Sequence, residues 1–343
     1  MPEGKLEKNL YFVDSSKRPL EGEDNEVVSA DFKDFLEMTV EGEVEKSPEL
    51  VNHIEWLALE LRETIKRQIE IEPIEITPSM IHILPRDLCE KNYNRDYEVN
   101  PAFCNNQGIF ICEEFLKEQK NNLLAILDIL THEFLHLYAV TKHYIVATDD
   151  TIEIRDQLRQ GWSIRHGKPV EEKEEFHFKG WDEMITDRLN VDFFRNNIRQ
   201  HPKYRELAIE RDKRLLSAEE IEEGMIVISE GNSEYEFLSR LFSDMVEKIY
   251  ELNHDKFDDQ NQVYYDLVRP YFSARLKPTA KLINSLGRDC FRDLADFENK
   301  KDINQAKAII DFRKKYNLSD DPRLQEFINA GGDEDLVKAY IKY

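Results

Sequence analysis

The sequence predicts an α+β chain, predominantly helical, in which a small mixed sheet accompanies one long buried helix and a helical second half. Three observations carry this expectation. Apolar residues recur at helical period through most of the chain, above all after residue 201. Two runs rich in Ile and Phe, MIHIL at 80–84 and GIFIC at Gly108–Cys112, read as strands. A chain of 343 residues with 41% hydrophobic content can bury a sizeable core and divide into two domains.

Residues 1–48 form an acidic, weakly patterned arm with apolar islands at 10–13 and 32–40. Residues 49–200 hold the mixed pattern. An amphipathic helix rich in Glu, Leu and Arg is expected at 52–71, then the strand at 80–84, closed by Pro85, and the strand at 108–112. The run NNLLAILDILTHEFLHLYAVTKHY at 121–144 lacks Gly and Pro. Its apolar residues Leu123, Leu124, Leu127, Leu130, Phe134, Leu137 and Tyr138 recur close to helical period, so a buried helix is expected throughout. Segments 152–164 and 176–178 read as a β-hairpin around the turn signal His166-Gly167-Lys168-Pro169. A further helix follows, with Met184, Leu189, Val191 and Phe194 available for burial. Residues 201–343 open with a capping box at 217–220, and Gly224 and a brief strand at 225–229 come next. Helical patterns then cover 234–252, 261–271, 281–297, 304–316, 322–329 and 334–343.

Inside the long helix stands His132-Glu133-Phe134-Leu135-His136, an H-E-x-x-H pentad. Residues four apart share a helix face, so both imidazoles can address one metal ion. Glu133 beside them can take a proton from a metal-bound water. This is the arrangement of a zinc hydrolase. A catalytic zinc takes three protein ligands and keeps one position open. The next helix supplies Glu183 and, four residues on, Asp187. Glu183 can complete the ligand set, and Asp187 can accept a hydrogen bond from the far nitrogen of His132, fixing its tautomer. His177, with Asp182, is the substitute should Glu183 not serve. Arg155, Arg159, Arg165, His166 and His177, on or beside the hairpin, are candidates to touch substrate or steady an oxyanion. His177 is the preferred donor.

H-E-x-x-H on one helix followed by E-x-x-T-D on the next resembles the gluzincin metallopeptidases, the group that includes thermolysin. The resemblance covers roughly residues 80–197. It implies a zincin-like domain at 49–200, a small mixed sheet plus active-site helix, with a helical C-terminal subdomain at 201–343 closing a cleft. It implies one Zn2+ per chain held by His132, His136 and Glu183. Glu133 is then general base and Asp187 supports a histidine. Asp182 stands where the family has Asn before the third ligand. The family also implies that the strand before the active-site helix, Gly108, Ile109, Phe110, Ile111 and Cys112, is a sheet edge that adds an extended peptide as another strand.

The expected reaction is hydrolysis of a peptide bond in a peptide or protein substrate, with Glu133 taking a proton from the attacking water and passing it to the leaving amine. Two other readings share the motif: a regulatory metalloprotease with a single substrate, and a binding protein that keeps the fold without catalysis. The net charge of −23 disfavours nucleic acid and anionic membrane surfaces as partners. No stretch approaches 18 apolar residues, and the first residues carry no apolar signal core. Cys89, Cys104, Cys112 and Cys290 have no C-x-x-C spacing and read as reduced thiols, so a cytoplasmic location is expected.

Overall fold

The computed structural model describes residues 7–8, 10–13, 33–34, 36–93, 101–105, 108–147, 152–166, 175–217, 236–273, 275–295, 297 and 303–331. Most of the acidic arm, the turn at 167–169, the capping box beyond Ser217, the strand expected at 225–229 and the helix expected at 334–343 lie outside these residues.

Strands β1 (Glu7–Lys8) and β2 (Leu10–Val13) come first. Helix α1 (Pro48–Ile69) starts where Ser47 accepts from the Leu50 N–H, with Pro48 in the first turn, where its missing donor costs nothing. Its apolar stripe, Ile54, Leu57, Leu61, Ile65 and Ile69, is buried, and Glu70 ends it with a left-handed φ of 61°. Then follow β3 (Ile71–Glu72), β4 (Ile81–Leu84), α2 (Arg86–Tyr93), β5 (Ala102–Asn105), β6 (Gly108–Cys112) and α3 (Glu113–Glu118). The pentad lies on α4 (Leu123–Tyr138). Strands β7 (Thr141–Ala147), β8 (Ile152–Gln160), β9 (Ser163–His166) and β10 (Glu175–His177) lead to α5 (Lys179–Phe193), which continues into a π-helical turn at Phe194–Ile198. The rest is helical: α6 (Pro202–Leu215), α7 (Glu236–Leu252), α8 (Gln260–Phe272), α9 (Leu276–Ile283), α10 (Cys290–Leu294), α11 (Ile303–Lys315) and α12 (Pro322–Asn329). The chain is thus α+β and mostly helical.

The strands make three small sheets: the pair β1-β3, the sheet β4-β6-β5 and the sheet β10-β9-β8-β7-β2. In the middle one, β6 runs parallel to β4 and antiparallel to β5, with all five of its residues buried. This corrects the expected edge. Gly108–Cys112 spends its main-chain groups on both neighbours, so no peptide can add to it. Gly108 sits at φ +120°, and a Cβ there would stand 2.4 Å from the Met80 carbonyl, which is why β6 can begin so close to β4.

Other expectations are also revised. The long helix stops at Tyr138 rather than at 144. From Thr141 the β-branched and aromatic residues of TKHYIVA pair with β8 instead, an environment that favours such residues. The hairpin is part of an antiparallel meander, because Gly161 turns the chain between β8 and β9. The helix expected at 281–297 breaks into α9 and α10, with Asn284 accepting the Phe291 N–H across the turn.

One cluster of buried residues runs from Ile54 on α1 through Leu127, Phe134 and Met184 to Leu241, Val263, Ile309 and Phe327. The helices after residue 201 therefore share the core that supports α4 and α5.

Candidate metal centre

Helix α4 is placed by its apolar side. Asn122 caps it by accepting the Ala125 N–H. Leu127, Leu130, Phe134 and Tyr138 are fully buried, and the Tyr138 hydroxyl donates to the Ala58 carbonyl on α1 at 2.7 Å. His132, Glu133 and His136 occupy the face turned to α5. Helix α5 begins after Phe178, a non-glycine residue at φ 64° without a side-chain cap. Its leading N–H groups are satisfied from far along the chain: Phe178 donates to Ala295 O at 2.9 Å and Gly180 to Phe297 O at 3.3 Å. Trp181, Met184 and Ile185 bury the other side of the helix, and Glu183 is presented to α4.

Among the described residues, His132, His136 and Glu183 form a group whose ligand atoms all lie within 4.8 Å of one another. The two Nε2 atoms are 3.2 Å apart. Glu183 Oε2 is 3.2 Å from His136 Nε2 and 3.7 Å from His132 Nε2. Ligands about 2.0–2.1 Å from zinc in a tetrahedral shell stand roughly 3.3 Å from each other. Donor type, number and mutual spacing therefore fit one zinc ion.

The electrostatics agree with a cationic locus. Burial pulls the His136 imidazole down, yet the carboxylates of Glu183, Glu133 and Asp182 prevail and hold it up to about 9. His132 is also raised: burial is the largest influence and opposes, but the hydrogen bond to Glu183 and the charges of Glu133 and Glu183 together outweigh it. Burial would raise Glu183, but the two imidazoles hold its carboxyl well below the usual range. The Glu183 carboxylate thus stabilises positive charge on both imidazoles, which themselves repel one another.

Behind His136 the site is buried and tightly fixed. Its backbone carbonyl accepts from Gln160 Nε2 at 3.0 Å. Its Nδ1 lies 3.4 Å from the Tyr271 hydroxyl and 4.0 Å from Asp182 Oδ2. Asp182 Oδ1 accepts from the N–H groups of Trp162 at 2.6 Å and Ser163 at 3.4 Å, and burial lifts its carboxyl to about 7. Gly161 makes this approach possible. It takes φ +54°, and a Cβ there would stand 2.2 Å from Asp182 Oδ1 and 2.9 Å from the Tyr271 ring. Tyr271 is held by its own backbone, since its carbonyl accepts the Val140 N–H at 2.7 Å.

Glu133 is buried beside the histidines, and its charge acts on both and on the Cys104 thiol of β5. Asp187 follows one turn after Glu183. Together with His132, its charge acts on Asp128, which lies one turn before His132 on α4. Burial lifts the Asp128 carboxyl to about 6, and Asn190 Nδ2 donates to it at 2.9 Å.

The remaining candidates divide. His177 ends β10, paired with Ile164, and is not in the ligand group. Arg159 is buried, and its guanidinium donates to the carbonyls of Gly161, Pro270 and Ser273, so it braces the scaffold rather than meeting substrate. The side chains of Arg155, Arg165 and His166 lie outside the described residues. A cavity of about 410 Å³ lies against the far side of the pentad, lined by Leu135, Arg188, Tyr264 and others, and takes in none of the three ligands. Sequence reasoning missed Tyr271, Gly161, Gln160 and Asp128. Only Asp128 left a signal, a carboxylate at helical spacing four residues before His132.

No protein-family model, curated protein or solved structure matches the chain. Among the described residues, no helix is long and apolar enough to cross a membrane.

Proposed function

We propose that this chain is a zinc-dependent metallopeptidase of the gluzincin type, with a zincin-like arrangement around α4 and α5. The observation that carries the reading is the convergence of two imidazole nitrogens and one carboxylate oxygen beside a buried glutamate. His132, His136 and Glu183 would hold the ion. Bound there, zinc would lower the pKa of a water ligand to near 7 and polarise a carbonyl.

The protein's own groups account for the rest of the chemistry. Glu133 stands on the same helix face as the two histidines and takes the water proton, then delivers it to the departing amine. The acidic neighbourhood of Glu133, Glu183 and Asp182 balances the charge of a dication. His132 and Glu183 keep about a fifth of their side-chain surface exposed, leaving an approach from solvent. Strand β5 is the sheet edge in question. It packs along α4, carries Cys104 near Glu133 and, among the described residues, pairs only with β6. An extended substrate added to β5 would run beside the pentad.

The test pairs metal content with turnover. Elemental mass spectrometry should find one zinc per wild-type chain and little in His132→Ala or Glu183→Ala. A peptide library should be cut by the wild type and left intact by zinc-replete Glu133→Ala. Turnover that survives Glu133→Ala defeats the mechanism, and a wild type that takes up no zinc defeats the site.

A further inference from the structure

We propose that Tyr271, on α8, is the positioning residue that sets the tautomer of His136 and so readies its Nε2 for the metal; the inference rests on the metal-centre reading above. The argument follows from counting protons along a buried chain. The Thr186 hydroxyl donates to the Asp182 carbonyl, one turn back on α5, at 3.0 Å. A hydroxyl has a single proton, so at its 2.8 Å contact with the Tyr271 hydroxyl, Thr186 can only accept. Tyr271 therefore donates to Thr186. Its oxygen is left to accept at its 3.4 Å contact with His136 Nδ1, and Nδ1 must carry the proton. That leaves Nε2, 3.2 Å from both His132 Nε2 and Glu183 Oε2, as the nitrogen that would bind the metal once its own proton is displaced.

Thr186 and Tyr271 are both fully buried, so water does not compete for either hydroxyl. Among the described residues, the other oxygen near Nδ1 is Asp182 Oδ2. It lies 4.0 Å from Nδ1, beyond hydrogen-bond reach, while Oδ1 of the same carboxylate is engaged by the Trp162 and Ser163 N–H groups. Direction is thus imposed from one end. A main-chain carbonyl of α5, which cannot donate, orients Thr186, which orients Tyr271, which orients His136. The helix that bears Glu183 thereby also sets the protonation pattern of a second ligand. The α8 segment is locked in place for this: Arg159 donates to the carbonyls of Pro270 and Ser273, on either side of the pair that includes Tyr271.

The experiment compares zinc affinity, by chelator competition, for wild type, Tyr271→Phe, Asp182→Asn, Thr186→Val and Thr186→Ser. Nitrogen-15 NMR of the His136 ring in zinc-free Glu183→Ala, which lacks the acceptor 3.2 Å from Nε2, at a pH where the ring is neutral, adds a readout that does not depend on metal. Outer partners of ligating histidines change metal affinity by about 10–100-fold. Tyr271→Phe should fall in that range with its fold intact by near-ultraviolet circular dichroism. Asp182→Asn should lose less than Tyr271→Phe. Should Tyr271→Phe fail to fold, the threonine pair decides: Thr186→Val frees the tyrosine proton for Nδ1 and should weaken zinc binding, whereas Thr186→Ser should retain it. The NMR should report an Nδ1–H tautomer in Glu183→Ala. Wild-type affinity in folded Tyr271→Phe, or in Thr186→Val, overturns the proposal while leaving the metal site standing. A wild type that takes up no zinc overturns the metal-centre reading instead, and an Nε2–H tautomer in folded Glu183→Ala overturns the orientation chain independently.

Discussion

The two helices that bring the ligand group together are built on different terms. Helix α4 is nearly self-sufficient: its cap is its own neighbour Asn122, its apolar stripe is continuous, and both histidines and Glu133 fall on one face by spacing alone. Helix α5 is held from outside. It starts at a left-handed Phe178, with N–H groups taken up by Ala295 and Phe297, and its first turn is pinned through Asp182 to Trp162 and Ser163. Local sequence therefore places two ligands, and tertiary structure places the third. A site split in this way can lose Glu183 without losing α4.

That contrast can be broken at graded strengths. The largest effect is on the α4 side: Glu133→Ala should lower peptide hydrolysis by about 10²–10⁴-fold, the usual contribution of a general base, with zinc content unchanged. Retained turnover would mean that the proton passes elsewhere. Next comes Glu183→Ala, which should weaken zinc more than the roughly 10–100-fold typical of groups behind a ligand, while α4 stays helical by circular dichroism.

The zinc-free protein should also reveal the split through pH. His136 is raised from an ordinary 6.5 to about 9, so its contribution is fully present below pH 6.5 and is lost as pH climbs through 9. Asp182, raised from 3.8 to about 7, loses its contribution in the same direction between those values. Calorimetry on chelator-treated protein should show the melting temperature falling from pH 6 to pH 9, and added zinc should restore more stability at pH 9 than at pH 6, because bound imidazoles must be neutral. A flat profile would remove the ion-free pairing with Glu183.

Gly161→Ala probes the outside support of α5. It forces a side chain into a left-handed turn against Asp182 and should cost about 2 kcal/mol or more, read as a lower denaturation midpoint and weaker zinc binding together. The smallest effect belongs to Asn122→Ala, whose lost cap should cost about 1 kcal/mol of stability and leave zinc affinity unmoved. Equal damage to zinc binding from these two variants would erase the distinction between the helices.

The same contrast marks what was legible in the sequence. The pentad, the helix around it and the E-x-x-T-D partner are local patterns, and of the residues they name His132, His136 and Glu183 come together. The end of α4 is hard to read because Ala139 and Val140 continue the apolar rhythm; only pairing with β8 makes the residues from Thr141 a strand. Gly108–Cys112 was correctly read as a strand and wrongly as an edge, because β5, the short run AFCN, carries too little pattern to announce a neighbour. Tyr271 could not have been named at all. Its partner His136 is 135 positions away, and α8 looks like any other amphipathic helix until Val140 and Arg159 fix its end.

The dependence of α5 on late residues has a consequence for synthesis. A nascent chain that has reached Asn253 already contains both histidines, Glu133 and Glu183. It does not yet have Tyr271 or the carbonyls of Ala295 and Phe297. The order of translation thus sets a sequence: His132, His136 and Glu183 are made early, and the segments that hold α5 and the back of His136 in place are made late.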